Sequence, residues 1–213
     1  MSSLQVFPIG TFGAAAARYL SDYSLGDLYI RQPLSAEIPG AVPDIYIVIA
    51  GRPAPHVCDR IDDLCHTTDR RFIPVVLDRF NLCLGPVVLP HCGSCWRCWL
   101  RRSQQHDPLW QQKEAIAQFY GEHANAEPKG YLEPIAMIAA ARIAHTIKAL
   151  RGGKSLGGHV WQLNVATLEI SSGIAIGVHN CNRCGLNRPS GLRSVALLEK
   201  ELRHLWRSED GKR

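Results

Sequence analysis

Two pairs of cysteines with the same spacing constrain this chain more than any other feature of its sequence. Cys95 and Cys98 form the first pair, Cys181 and Cys184 form the second, and each follows the pattern C-x2-C. This spacing lets two thiolates from one tight turn reach the same metal ion, and two such pairs complete the four-sulfur set of structural zinc sites. We therefore predict that these four side chains bind zinc.

The predicted site would join two distant parts of the chain, because 82 residues (181 − 98 − 1) separate Cys98 from Cys181. A metal that closes a loop of this length removes many conformations of the unfolded chain. Four thiolates leave no open position for water or substrate, so the expected role is structural. Cys92 remains an alternative ligand, because Cys92 and Cys95 have the same spacing. His91 and His179 are expected to donate hydrogen bonds to sulfur rather than to bind the metal.

Composition narrows the class of protein. The 213 residues can form a self-sufficient core, and 46% hydrophobic and 20% charged residues are ordinary for a soluble protein. Neither a membrane-spanning apolar run nor a signal-peptide pattern is visible, so we expect a cytoplasmic protein without a membrane partner. The net charge of +5 is modest and accompanies no recognisable reader helix, so nucleic acid is not an expected partner.

The order of predicted elements indicates a doubly wound α/β fold. Residues 1–99 are predicted to form a Rossmann-like half that ends in the first cysteine pair. Residues 100–213 are predicted to form a helical and β-hairpin half with the second pair, and the two halves to make one compact domain. The predicted strands are 4–9, 28–30, 44–50, 72–77, 82–89, 159–170 and 174–178, with a turn at 171–173, and the predicted helices are 14–20, 53–65, 108–120, 133–152 and a last one from Ser190.

The first strand and helix form an opening of the nucleotide-binding type from which key residues are missing. The pattern G-x-G-x-x-G is reduced to Gly10 and Gly13, and Arg31 stands where a ribose-binding carboxylate is expected. We therefore expect no cofactor-binding residues here and assign the glycines to packing. Cys58 and Cys65 fall on the apolar side of a predicted helix and are expected to be core thiols. No motif of nucleophilic or metal catalysis occurs, so no catalytic residues are predicted.

Four segments resemble a known family, the E1-like (ThiF-like) proteins that act with YcaO cyclodehydratases in the biosynthesis of thiazole/oxazole-modified microcins. The order of elements agrees over nearly the whole chain. The segments are Gly85-Pro86-Val87-Val88-Leu89-Pro90, Cys95-Trp96-Arg97-Cys98-Trp99, Asp107-Pro108-x-Trp110 and His179-Asn180-Cys181-Asn182-Arg183-Cys184-Gly185.

The resemblance implies a Rossmann-like E1 fold with structural zinc that serves as a scaffold in a peptide cyclodehydratase complex. It implies that the YcaO partner uses ATP to activate a backbone amide oxygen while a Cys, Ser or Thr side chain attacks, and that loss of water closes an azoline ring. This chain would present a ribosomal precursor peptide to that partner without using ATP itself. A homodimer or a hetero-oligomer is expected.

The chain departs from the family in two places. Fuller members carry a winged-helix-like peptide-recognition domain before the first strand, which here begins near residue 4, so we expect another subunit to bind the leader peptide. Adenylating relatives place acidic residues where this chain has Gly51-Arg52-Pro53. Two alternatives stay open: an active ATP-dependent adenylating enzyme of the E1/MoeB type, and a zinc-stabilised interaction domain unrelated to peptide modification.

Overall fold

The computed structural model describes residues 3–31, 43–105, 107–123, 125–128, 130–179 and 181–185. The helix predicted from Ser190 lies outside the described residues. The elements are β1 (Ser3–Ile9), α1 (Gly10–Ser21), β2 (Asp27–Ile30), β3 (Ile45–Ala50), α2 (Pro55–Thr68), β4 (Arg71–Asp78), β5 (Asn81–Leu84), α3 (Trp96–Gln105), α4 (Trp110–Glu122), α5 (Glu133–Arg151), β6 (His159–Asn164) and β7 (Ile170–Ile174).

These strands form one seven-stranded sheet in the order β2-β1-β3-β4-β5-β6-β7. The first four are parallel, and β5, β6 and β7 extend the sheet with antiparallel pairing. All six residues of β3 are buried, which explains its continuous apolar sequence, because a parallel strand covered on both faces has no side exposed to water. The predicted doubly wound α/β class is therefore confirmed. The sheet takes strands from both sides of residue 99, and the proposed division of the chain there stays a prediction.

Helices cover both faces of the sheet. Helices α1 and α5 pack on one face, where Ala16 and Ala140 are fully buried and let the two helices lie close to each other and to the strands. Helix α2 packs on the other face, where Cys58 and Cys65 contact the strands and Trp96 at the start of α3 joins the same cluster. The predicted core position of the two thiols is confirmed. The cysteine pairs thus lie on the α2 side of the sheet.

Two helices differ from the prediction. Helix α1 begins at Gly10 rather than after Gly13, because Gly10 has φ +73° and turns the chain directly out of β1. At Gly13 a Cβ atom would lie 2.3 Å from the carbonyl oxygen of Ile49, so this glycine permits close packing of α1 on β3. Helix α3 was not predicted. Its first residues belong to the first cysteine pair, which the sequence analysis interpreted only as a metal-binding turn.

The turn predicted at 171–173 is wrong, because these residues lie inside β7. The chain instead reverses after β6, where Asn164 Oδ1 accepts hydrogen bonds from the amides of Ala166 (3.0 Å) and Thr167 (3.2 Å). An asparagine side chain that binds the amides two and three residues later stabilises such a turn. Strand β7 lies at the edge of the sheet and is exposed at all five positions, so it needs no apolar residues. Its serines and glycine are also common in turns, which is why its sequence suggested a turn.

Candidate metal centre

The first cysteine pair is positioned by the start of α3. Cys95 immediately precedes the helix, and Cys98 lies in its first turn. Residues three apart at this point share one side of the helix, so both sulfur atoms face the same way. Trp96, between them, is 4% exposed and packs in the core beneath α2, which anchors the start of the helix.

The second pair lies in a turn beyond β7. The amide of Gly185 donates a hydrogen bond of 2.7 Å to the carbonyl oxygen of Cys181 and closes this turn around Cys184. A Cβ atom at Gly185 would lie 2.5 Å from the nitrogen of Cys181, so the turn requires glycine there. The short turn therefore directs two thiols to one side of the chain, as the spacing predicts.

The structure brings together the four predicted cysteines. Their Sγ atoms all lie within 4.8 Å of one another, with 3.8 Å between Cys95 and Cys181 and 3.4 Å between Cys98 and Cys184. A tetrahedral ion with metal–sulfur bonds of about 2.3 Å requires sulfur atoms about 3.8 Å apart. Cys95, Cys98 and Cys181 are buried, and Cys184 is partly exposed. The arrangement can hold a metal ion, and its donor set is the one that zinc prefers.

Electrostatics also favours a cation among these thiols. The hydrogen bond between the Cys98 and Cys184 thiols favours the protonated form and is the main cause that raises the pKa of Cys98 to about 12, with burial adding to it. A divalent ion reverses this effect, since it binds the deprotonated sulfur atoms and releases their protons. The amide of Val178 donates a hydrogen bond of 3.2 Å to Cys98 Sγ, which stabilises negative charge on that sulfur.

Other residues near the pairs lie elsewhere. Cys92 is not in the cluster, and its Sγ lies 3.6 Å from Ser155 Oγ. His91 is largely exposed, with Nε2 3.9 Å from Asp69. His179 is exposed as well. The two histidines were expected to donate hydrogen bonds to sulfur. Among the described residues, the backbone amide of Val178 donates such a hydrogen bond to Cys98 Sγ.

The remaining described cysteines do not form a reactive site. Burial raises the pKa of Cys58 and of Cys65 well above the usual value, and it raises the pKa of Cys83 to about 11. A nucleophilic cysteine needs a lowered pKa and access to solvent. Cys58 and Cys65 therefore belong to the packed interior, and Cys83 is a partly exposed thiol of β5.

A second candidate site lies at the carboxyl ends of β1, β3 and β4, the edge where α/β folds bind nucleotides. A cleft of about 390 Å³ opens there. Its lining is mainly apolar and aromatic, and includes Phe12, Phe80, Ile116, Tyr120, Tyr131, Leu132 and Ile135.

An internal carboxylate takes the phosphate position of this cleft. Glu127 Oε2 accepts a hydrogen bond of 2.7 Å from the amide of Thr11 in the first turn of α1, where the helix amides of nucleotide-binding folds hold a phosphate. A Cβ atom at Gly10 would lie 2.4 Å from the same oxygen, so glycine is needed for this approach. Sequence analysis missed Glu127, because 116 residues separate it from Thr11.

Arg52 lies in the segment after β3 where the sequence resemblance implied acidic residues in adenylating members of the family. Its side chain follows β3 and is 8% exposed. Nη1 donates a hydrogen bond of 2.7 Å to the carbonyl oxygen of Tyr120, and the guanidinium lies 4.8 Å from the centre of the Tyr120 ring. The cation therefore ties the loop after β3 to α4 and brings positive charge to a place where a metal–nucleotide complex needs negative charge.

Comparisons with known proteins place the fold. No protein-family model matches the sequence, and no curated protein matches it as a relative. A heterocyclase solved with substrate and cofactor is similar in structure, with a TM-score of 0.61 and 22% identity over 86% of this chain and 25% of its own. The E. coli microcin synthetase McbBCD complex contains a chain with a TM-score of 0.62 and 11% identity, over 85% and 68% of the two chains. E. coli MccB with ATP gives 0.59 and 14%, over 86% and 67%.

These similarities show that this chain shares its fold with a heterocyclase and with microcin-synthesis proteins, in agreement with the sequence resemblance. The chain spans about a quarter of the heterocyclase chains that it matches, which include TruD at 27%, so the activity of those longer proteins does not transfer with the fold. None of the described helices has the length and apolar content needed to cross a membrane.

Proposed function

We propose that this chain is the zinc-containing, E1-like scaffold subunit of a peptide cyclodehydratase complex. In this role it presents a ribosomal precursor peptide to a YcaO-type enzyme, which forms azoline rings in the peptide. Bacteriocin-type antibiotics contain such rings as azolines or azoles. The observation that carries the proposal is the fold shared with a heterocyclase and with a microcin synthetase complex over most of this chain. Because the sequence identities to these two proteins are 22% and 11%, the shared fold alone does not assign the substrate or the partner, and both are proposed here.

Zinc would be held by Cys95, Cys98, Cys181 and Cys184. The support is the compact cluster of four sulfur atoms and its match to tetrahedral spacing. Four thiolates fill the coordination of the ion, so zinc supplies a cross-link between α3 and the turn beyond β7, and no Lewis-acid chemistry. The chain's own contribution to the reaction is then to hold and orient the peptide, which raises its effective concentration at the YcaO enzyme.

ATP would be used by the YcaO partner and not by this chain. Two contacts support this division. Glu127 accepts the hydrogen bond from the Thr11 amide at the start of α1, where a phosphate would otherwise bind. Arg52 places a positive charge at the edge where the resemblance implies acidic residues in adenylating members. We propose that the scaffold acts in the cytoplasm as a homodimer or within a hetero-oligomer.

Reconstitution from purified components tests the proposal. This chain is combined with a YcaO protein and a precursor peptide from the same gene neighbourhood and with ATP, and ring formation is followed by the loss of one water mass per ring. We expect rings in the full mixture, few rings when this chain is omitted, and none when the YcaO protein is omitted. Ring formation by this chain alone, or full activity without it, contradicts the proposal.

The adenylating alternative is favoured by one observation, the similarity to E. coli MccB in its ATP-bound structure. It predicts that this chain alone exchanges pyrophosphate into ATP when a peptide is added. We expect no exchange.

The third alternative, an interaction domain outside peptide modification, predicts that no YcaO gene and no short precursor rich in Cys, Ser and Thr lie beside this gene.

A further inference from the structure

The two cysteine pairs share a feature beyond their spacing. In each pair an arginine precedes the second cysteine: Arg97 in the first and Arg183 in the second. Arginines in such short turns usually lie at the surface with their guanidinium groups in water. The structure instead directs both side chains onto the same helix, α2, which lies beside the cluster.

One carboxylate on α2 binds both arginines. Arg97 donates from Nε to Asp59 Oδ1 at 3.1 Å and from Nη2 to Asp59 Oδ2 at 2.8 Å, a two-pronged pair. Arg183 donates from Nη1 to Asp59 Oδ1 at 2.9 Å and to the Asp59 carbonyl oxygen at 3.2 Å. Burial would raise the pKa of Asp59, but the hydrogen bonds from the two arginines outweigh it and hold the pKa below its usual value. Asp59 therefore bridges the two pairs as an anion.

Arg183 has further partners on the same helix. Nη1 lies 2.6 Å from Oδ2 of Asp62, whose side chain is fully buried, and Nη2 lies 2.8 Å from Oδ1 of Asp63, whose side chain is 63% exposed. The Arg183 side chain is itself only 6% exposed. A buried guanidinium without its less exposed carboxylates would be strongly unfavourable, so the contacts with Asp59 and Asp62 hold the second pair against α2, and the exposed contact with Asp63 adds little.

We propose that Asp59 is a positioning residue of the metal centre, which docks both cysteine pairs on α2 and holds their sulfur atoms close together before the metal binds. The contacts of Asp59 include neither sulfur nor metal, so they can form in the metal-free protein. A preformed site loses less conformational entropy when the ion enters, and zinc therefore binds more tightly. The inference rests on the proposed zinc site and names the residues that organise it.

The test compares Asp59→Asn with the matched control Asp63→Asn in the purified full chain. The first change weakens a pair that bridges both halves of the site, and the second removes one exposed contact of Arg183. Zinc affinity is measured by competition with a chromophoric chelator. We expect binding about 10- to 100-fold weaker in Asp59→Asn, as for other residues that orient metal ligands, and nearly unchanged binding in Asp63→Asn because exposed pairs contribute little.

Spectroscopy separates positioning from ligation. At saturating Co2+ both variants are expected to show the wild-type four-thiolate spectrum, because Asp59 does not bind the metal. Asp59→Glu, which keeps the charge, should recover part of the affinity. If Asp59→Asn does not fold, Arg97→Gln removes one half of the bridge at a more exposed pair and should give an intermediate loss.

The outcomes distinguish this inference from the proposed function. Wild-type affinity in both Asp59→Asn and Arg97→Gln overturns the positioning role and leaves the zinc site standing. A wild-type protein that binds no zinc and shows no four-thiolate Co2+ spectrum overturns the metal centre, and with it both proposals. A changed Co2+ spectrum in Asp59→Asn also overturns the inference, because it would mean that the ligand set depends on this carboxylate.

Discussion

At the scale of single residues, the environment of each cysteine separates two roles that the sequence letter does not distinguish. Cys184 lies among three other sulfur atoms at the mouth of the cluster, whereas Cys58 is fully buried among apolar side chains of α2 and the sheet. A thiol in a cluster is useful through its charge once a metal binds, and a thiol in the core is useful through its volume.

This difference predicts the behaviour of two serine variants. We expect Cys184→Ser to lose most of its bound zinc, to expose apolar surface and to become less soluble, because three sulfur ligands no longer close the site. Cys58→Ser keeps the four ligands and should retain full metal content with a milder loss of solubility. Elemental analysis of the purified proteins and the soluble fraction on expression provide the measurements. Equal metal content in the two variants would contradict the choice of ligands.

At the scale of elements, the start of α1 shows how a nucleotide-binding geometry can serve another purpose. The helix begins directly at Gly10, and its first free amides need an acceptor. Glu127 supplies that acceptor from the segment before α5. Tyr131 packs edge-on against Phe12 with ring centroids 5.8 Å apart, so the segment is held to α1 at a second point. The contact joins two elements that are distant in sequence.

Removing this acceptor should destabilise the protein without altering the metal centre. We expect Glu127→Ala to lower the free energy of unfolding by about 0.5–2 kcal/mol, the range for loss of a helix-capping side chain. Glu122→Ala is the matched control. Its carboxylate accepts a hydrogen bond from Gln118 at the exposed end of α4, and its loss should change stability by less than about 0.5 kcal/mol. Urea unfolding measures both, and equal effects would show that Glu127 does not cap α1.

At the scale of the whole molecule, the cysteine cluster connects α3 with the turn that follows β7. The described sheet already joins these regions through the pairing of β5 with β6 and of β6 with β7. A metal ion bound by the four cysteines would add a second connection on the α2 side. Its contribution comes mainly from the unfolded chain, since a permanent cross-link closing a loop of this length is worth about 4–5 kcal/mol.

Metal removal should therefore destabilise the molecule as a whole. We expect a chelator to lower the unfolding free energy by several kcal/mol, up to about the value for a permanent cross-link. The loss should be absent in Cys184→Ser, which has no complete site to empty. Urea unfolding with and without chelator measures the difference. An equal chelator effect on both proteins would mean that the stabilising metal lies elsewhere.

Local patterns predicted much of this fold. The apolar run of β3 and the two C-x2-C spacings each depend on residues close in sequence, and the structure has them where expected. The turn after β6 was missed because the exposed edge strand β7 carries weak hydrophobic periodicity. Helix α3 was missed because its start coincides with the first cysteine pair, which was interpreted only as a metal-binding turn. Sequence patterns predict an element well when its buried side requires apolar residues. They predict it poorly when the element is exposed, because many polar residues are tolerated there.

The sequence by itself determined that two C-x2-C pairs could share an ion, because spacing limits which thiols one turn can present together, but it left Cys92 as an alternative ligand. The tertiary structure places Cys92 outside the cluster. Only the tertiary structure decided that Asp59 binds Arg97 and Arg183, at separations of 38 and 124 residues, and that Glu127 reaches Thr11. The physical reason is that charged side chains pair with whatever the packed elements bring within about 3 Å. That proximity is a property of the folded sheet and its helices, and no short stretch of sequence encodes it.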